Sequence, residues 1–205
     1  RIDVQTGGSS RGVADARAGR ADIGMASRSL KQSESDLISH TIAFDGITII
    51  LNKNNPITSL SNEQIQNIYT GKVRNWNQVD GPNMPITVVN KAEGRSTLEL
   101  FLHHFGLKNS NIKASVIIGD NQQGIKTVSG NPGAIGYVSV GSAEFEVKYG
   151  TPIKLLPMGF PLSRPLNFIT KQVPEGLAEQ FILFAQSAEV NDLIDEQSFV
   201  TLFAS

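Results

Sequence analysis

The chain has 205 residues, 40% of them hydrophobic and 18% charged, the balance of a soluble globular protein with core enough for one large domain or two small ones. Its 18 basic and 19 acidic residues leave a net charge of −1, no footprint for nucleic acid or an anionic membrane, and no apolar run nears the roughly 20 residues that span a bilayer. There is no cysteine, which excludes disulfides, zinc-thiolate sites and thiol nucleophiles.

The chain begins at Arg1 without Met and enters a strand-like run, Ile2 to Gln5. This start reads as a processed or truncated product whose signal peptide, if any, has gone. Ser10 to Ala18 predicts a helix, with Val13, Ala14 and Ala18 on one face and a stop at Gly19. A short buried strand follows over 21–27, then a polar helix near 33–40. Residues 41–52 form a long β-branched run with Asp45-Gly46 in its middle. An extended run of this length fits a strand passing between two lobes better than a hairpin, although Asp-Gly is also a hairpin signal. Ser61 and Gln64 have capping-box spacing ahead of a helix that ends at Gly71. Ile86 to Asn90 reads as a strand. Leu98, Phe101, Leu102 and Phe105 then fall at helical spacing, closed by Gly106. Two further strands are expected over 116–119 and 133–140, with a weaker helix over 121–130 between them, then a polar connection and a strand near 153–158. A second crossing strand is expected near 160–170, and a last helix from Pro174 to Ala188 that turns Leu177, Phe181, Phe184 and Ala185 inward.

This order predicts an α/β fold with mostly parallel sheets, in two lobes joined by a hinge: 1–48 with 160–205, and 49–159. Two glycine-serine stretches, Gly7 to Gly12 and Glu93 to Thr97, each stand between a strand and a helix. Amides at a helix start lack intrahelical partners and carry the positive end of the dipole, so they favour an anion. Ser9, Ser10, Ser96 and Thr97 add hydroxyls, and Arg11, Lys91 and Arg95 add positive charge. In α/β sheets ligands lie beyond the carboxyl ends of the strands, where both stretches fall, so an oxyanion clamped between lobes is expected.

Several fragments, in order and over most of the chain, carry a family resemblance. GGSSRGVADARAGRADIGMASR, YTGKVRNW, ITVVNKAEGRST and NPGAIGYV resemble segments of the periplasmic phosphate-binding proteins, the receptors of phosphate ABC importers. The resemblance implies a two-lobed fold that closes on inorganic phosphate or a similar tetrahedral oxyanion. It implies a periplasmic or cell-surface monomer, an ABC permease as membrane partner, no cofactor and no catalysis. Carried over by position, the ligand residues are Ser9, Ser10, Ser27, Arg28, Arg95, Ser96 and Thr97, with Arg11, Lys91 and Gly94 as secondary candidates. Ser27 stands where some members have an Asp that accepts the proton of phosphate, and Lys91 where many have Arg, so the bidentate fork is lost. Members of the family also begin with one more strand and helix, of about 30 residues by the size of such units.

Other readings stay open. Ser9 and Ser10 are also suited to simple capping, Arg95 to an ion pair with Glu93 or Glu99, Arg28 to one with Asp22 or Asp45, and Trp76 to the core. An oxyanion sensor or adhesion module of the same fold would need no permease, and sulfate or molybdate would suit a site without the carboxylate. Gly8-Ser9-Ser10-Arg11-Gly12 also matches the nucleophile elbow of serine hydrolases, which would need a histidine among His40, His103 and His104.

Overall fold

The computed structural model describes residues 1–5, 7–157, 162–197 and 199–202, and of Ser96 the backbone alone. In chain order the elements are α1 (Ser9–Arg17), β1 (Gly24–Ala26), β2 (Ile38–Asn52), α2 (Asn62–Tyr69), β3 (Thr87–Lys91), α3 (Ser96–Phe105), β4 (Val116–Ile118), α4 (Asn121–Ser129), β5 (Ala134–Ser139), α5 (Val140–Lys148), β6 (Ile153–Leu155), β7 (Leu162–Thr170), α6 (Gly176–Ala185) and α7 (Asn191–Glu196). The chain falls into two units, Arg1–Asp45 with Arg164–Ser205, and Gly46–Ser163. It passes from one to the other inside β2, at Asp45-Gly46, and inside β7, at Ser163-Arg164. Residues 159 and 160, where the sequence suggests a junction, lie outside the described residues. Among the described residues no helix is long and apolar enough to cross a membrane.

The second unit is built on parallel β3, β4 and β5. β3 registers with β4 through Val89–Val116 and with β5 through Thr87–Ala134. The connections β3–α3–β4–α4–β5 are helical crossovers, which return each strand in the same direction. β2 then pairs antiparallel with both β5 and β6, and in the first unit β1 pairs antiparallel with β7. The pairing is therefore mixed, parallel among the crossover strands β3, β4 and β5 and antiparallel where β2 meets β5 and β6 and where β1 meets β7.

The core of the second unit gathers Trp76, Tyr69, Phe101 and Tyr137, all fully buried or nearly so. Phe101 stacks on Tyr137 with ring centroids 4.1 Å apart, and Trp76 Nε1 donates to the Gly133 carbonyl at 2.9 Å. Trp76 is thus core. The capping box at Ser61 and Gln64 is formed, and Gly106 closes α3 in the left-handed region.

Five local expectations fail. Residues 1–5 form no strand: among the described residues none lies beside them to accept their backbone hydrogen bonds, and Ile2 and Val4 are exposed. The polar segment 33–40 makes only a 3-10 turn, Gln32–Glu34, because the Glu34 carboxylate takes the Lys31 amide at 2.8 Å and Ile38 already belongs to β2. The polar connection after β5 is a helix, α5, whose buried residues are only Ser142 and Ala143, too small a stripe for periodicity to show. In α6 Ile182 is buried, while Leu177 is 83% exposed and Phe184 47%. Apart from Glu179 and Gln180 the helix is almost wholly apolar, so spacing alone does not choose the buried face. In α1 the buried pair is Val13 and Ala16 rather than Ala14 and Ala18.

Candidate anion-binding site

In the second unit, parallel strands bring three helix starts to one edge of the sheet. β3 ends at Lys91 and leads through Glu93-Gly94-Arg95 into α3; β4 ends at Ile118 and leads through Gly119-Asp120 into α4; β5 ends at Ser139, itself the residue before α5. Hydrogen bonds join the three. Lys91 Nζ donates to Asn121 Oδ1 at 2.7 Å, Asn121 Nδ2 donates to Ser139 Oγ at 2.8 Å, and Ser139 Oγ donates to Ser142 Oγ at 2.9 Å. The Ala92 amide donates to the Ile118 carbonyl at 2.8 Å, and Arg95 Nη2 stands 3.6 Å from where a Cβ on Gly119 would be.

Lys91 is only 3% exposed, and among the described residues no carboxylate lies within ion-pair distance of it. Burial pushes its pKa down to about 8; the Asp120 charge opposes that and the Arg95 charge adds to it. Asp120 is exposed and accepts the Gln123 amide at 2.8 Å as a helix cap. A buried ammonium with one neutral acceptor keeps two N–H donors and a full charge for something else. Arg95 is exposed at the position before α3, and its side chain does not cap the helix. Gly94 turns with φ +82°, a conformation that L side chains rarely adopt, so the loop requires glycine. Thr97 is buried, and the Ser96 side chain lies outside the described residues.

The first unit arranges its candidates differently. α1 begins after Gly8, which has no side chain to cap the helix. The Ser27 amide donates to Ser9 Oγ at 3.0 Å, and the two hydroxyl oxygens lie 3.3 Å apart. Arg28 does not join them. It holds Glu34 in a bidentate pair, Nη1 to Oε2 at 2.8 Å and Nη2 to Oε1 at 3.0 Å, and Glu34 is drawn down to a pKa of about 2, first by that bond and then by the Lys31 amide. Asn167 Nδ2 donates to the Arg28 carbonyl at 2.9 Å, which fixes the backbone after Ser27. The partner of Arg28 is therefore Glu34, and Asp45 belongs to Arg164 at 3.3 Å.

Arg11 turns back along the helix to Asp15 at 3.4 Å, and Ser10 is exposed. Gly12 serves helix packing: a Cβ there would come within 2.2 Å of the Met25 carbonyl oxygen. Ser9 thus faces Ser27 rather than a histidine, and His40, in the same unit, meets Thr170 Oγ1 at 2.9 Å. Sequence reasoning missed Asn121, Ser139 and Glu34. The first two stand at the carboxyl ends of β4 and β5, a placement that was available once those strands were predicted parallel.

Comparison with known proteins gives the family. A family model described as a PBP superfamily domain matches residues 1–189. The phosphate-binding protein PstS of Bacillus subtilis is 24% identical over 97% of this chain and 70% of its own length. An ABC-type phosphate transport receptor from Vibrio cholerae superposes with a TM-score of 0.78 at 29% identity, covering 95% of this chain and 85% of that one. A putative phosphate ABC transporter substrate-binding protein from Clostridium perfringens, solved with bound phosphate, gives a TM-score of 0.63 at 30% identity over 96% of this chain and 85% of that one. Three helix starts around a buried cation, on a sheet of this order and with these relatives, place the chain in the PBP superfamily, among the substrate-binding proteins of phosphate ABC transporters.

Proposed function

We propose that the chain is a receptor that captures inorganic phosphate for ABC-type import. The observation that carries this is Lys91: a buried ammonium with no carboxylate within ion-pair distance among the described residues, set among three helix starts, suits an anion. Arg95, the amides at the start of α3 and the hydroxyl of Thr97 are its further candidate donors. In the first unit, taken by itself, Ser9 and Ser27 are the candidate uncharged ligand groups. Arg28 supports the site by holding Glu34 and the backbone beside Ser27.

The protein binds without turnover and needs no cofactor. It works as a monomer outside the cytoplasmic membrane, in the periplasm or at the cell surface, and hands phosphate to a membrane permease. The names of its relatives support this reading. Calorimetric titration with inorganic phosphate, against sulfate at equal ionic strength, tests it. One phosphate should bind per chain, more tightly than sulfate. An absence of heat and of thermal stabilisation with both anions would overturn the proposal.

A further inference from the structure

We infer that Asn121 is a positioning residue of the anion site: a neutral acceptor that fixes the Lys91 ammonium while leaving its charge to the ligand. The inference rests on the phosphate-binding reading above and adds a residue to it. Asn121 is the first residue of α4, so its side chain springs from a helix start that already faces the end of β3. Its carboxamide is used at both ends. Oδ1 accepts from Lys91 Nζ at 2.7 Å, and Nδ2 donates to Ser139 Oγ at 2.8 Å. Ser139 passes the orientation on to Ser142 at 2.9 Å, and the Ser139 amide lies 3.4 Å from Asn121 Oδ1. These bonds leave no doubt about which end of the amide faces Lys91: the flipped carboxamide would turn an NH2 group against an ammonium.

Neutrality is what the position requires. Aspartate has almost the same shape and would accept from Lys91 equally well, but it would neutralise the ammonium and set a second negative charge against the incoming oxyanion. The charged groups acting on Lys91 are Asp120, which lies on the same turn but is engaged with the Gln123 amide, and Arg95. Tyr137 Oη meets the Lys91 amide at 3.3 Å and stays protonated, because burial raises its pKa. A neutral Asn121 thus leaves the Lys91 charge uncancelled and available to an oxyanion.

The test is the affinity for inorganic phosphate of the wild-type chain, Asn121→Asp and Asn121→Ser, measured from pH 6.5 to 9.5. Asn121→Asp should fold with an equal or higher melting temperature and bind phosphate at least 50-fold more weakly at pH 7. Asn121→Ser is too short to reach both Lys91 and Ser139, and should lose about 5- to 20-fold. The wild-type to Asn121→Asp affinity ratio cancels the titration of phosphate itself. It should shrink above pH 8, where the wild-type ammonium loses its proton while the one paired with aspartate keeps it. An Asn121→Asp protein that binds phosphate within threefold of wild type, or a ratio flat across this range, overturns the assignment and leaves the phosphate reading standing. A wild-type chain that binds no phosphate overturns both. Should Asn121→Asp fail to fold, unchanged affinity in Asn121→Ser overturns the assignment on its own.

Discussion

The two units treat the cations of their candidate sites in opposite ways. In the first, Arg28 meets Glu34 through two short bonds, and the pair is satisfied before any ligand arrives. In the second, Lys91 has a neutral amide for a partner and no carboxylate within reach among the described residues. A bidentate pair of opposite charges is close to electrically silent at a distance, whereas an unpaired ammonium in a low-dielectric setting is not. Each unit can be tested by itself: on the proposed reading Lys91 draws an anion by charge, and Ser9 and Ser27 offer uncharged hydroxyls. Each prediction below removes one side of this contrast.

The largest effect is expected from Lys91→Met. Without the buried charge the cradle should lose phosphate affinity by at least two orders of magnitude, while the ligand-free protein becomes more stable. A lysine displaced from 10.5 to about 8 carries a penalty on the order of 3 kcal/mol at neutral pH, taking about 1.4 kcal/mol per pH unit. The sign also fixes the pH dependence. Between about pH 8 and 10.5 the unfolded chain holds a proton that the folded chain has released, so wild-type stability should climb through that window and the Met variant should not share the climb. Denaturant titrations of both proteins at pH 7 and 9 measure this. A destabilised Met variant would mean that the ammonium is already compensated and that the contrast between the units is false.

Next in size is Arg95→Ala, which should weaken phosphate binding by about 1.5–3 kcal/mol, the range of a charge-assisted hydrogen bond. Arg28→Ala is its control. It should lower stability, because Glu34 is left buried without its ion-pair partner, yet shift phosphate affinity by less than Arg95→Ala does. Isotherms in which the two variants lose equal affinity would return Arg28 to the ligand set.

Glu34→Gln probes the same pair from the other side. Glu34 titrates near 2 in the folded chain against an ordinary value of 4.5, so its contribution is present above 4.5 and is lost as pH falls toward 2. The substitution should cost about 1–2 kcal/mol at pH 7, discounted for the partial exposure of Arg28, and should flatten the acid limb of the stability profile. It should leave phosphate affinity equal or slightly higher, since Arg28 is released. A drop in affinity would show that the pair orders the ligand groups more than it silences charge.

How much of this could be read from the residues depends on which interaction decides each case. Long strands with an internal glycine, the Ser61–Gln64 cap and the apolar stripe of α3 are local patterns, and they stand in the fold. Both glycine-serine stretches do open helices. What sequence could not rank was charge against charge. Arg28 had nearby acidic residues in plenty, and the one that holds it, Glu34, lay in a segment expected to be helix. Lys91 looked weaker than an arginine until burial and the absence of a carboxylate partner among the described residues gave its charge force. Asn121 and Ser139 reach the site only because three strands run parallel, a tertiary fact that no window around either residue contains.

The smallest expected effect separates the anions rather than the units. Ser27 stands where a proton-accepting carboxylate would sit, and its amide already donates to Ser9 Oγ. Ser9's own hydroxyl proton is free to turn toward Ser27 or toward a ligand, so the Ser27 oxygen can accept from monohydrogen phosphate. Sulfate has no proton to give at neutral pH. Ser27→Ala should therefore weaken phosphate by about 0.5–1.5 kcal/mol and leave sulfate nearly unchanged. Ser27→Asp should reject sulfate strongly, because a carboxylate would face a dianion with no proton between them, while phosphate can still donate one. Competition titrations of the three proteins with both anions measure the two differences. Parallel losses of phosphate and sulfate in Ser27→Ala would show that this hydroxyl only donates, and selectivity would then have to come from the charged cradle around Lys91 alone.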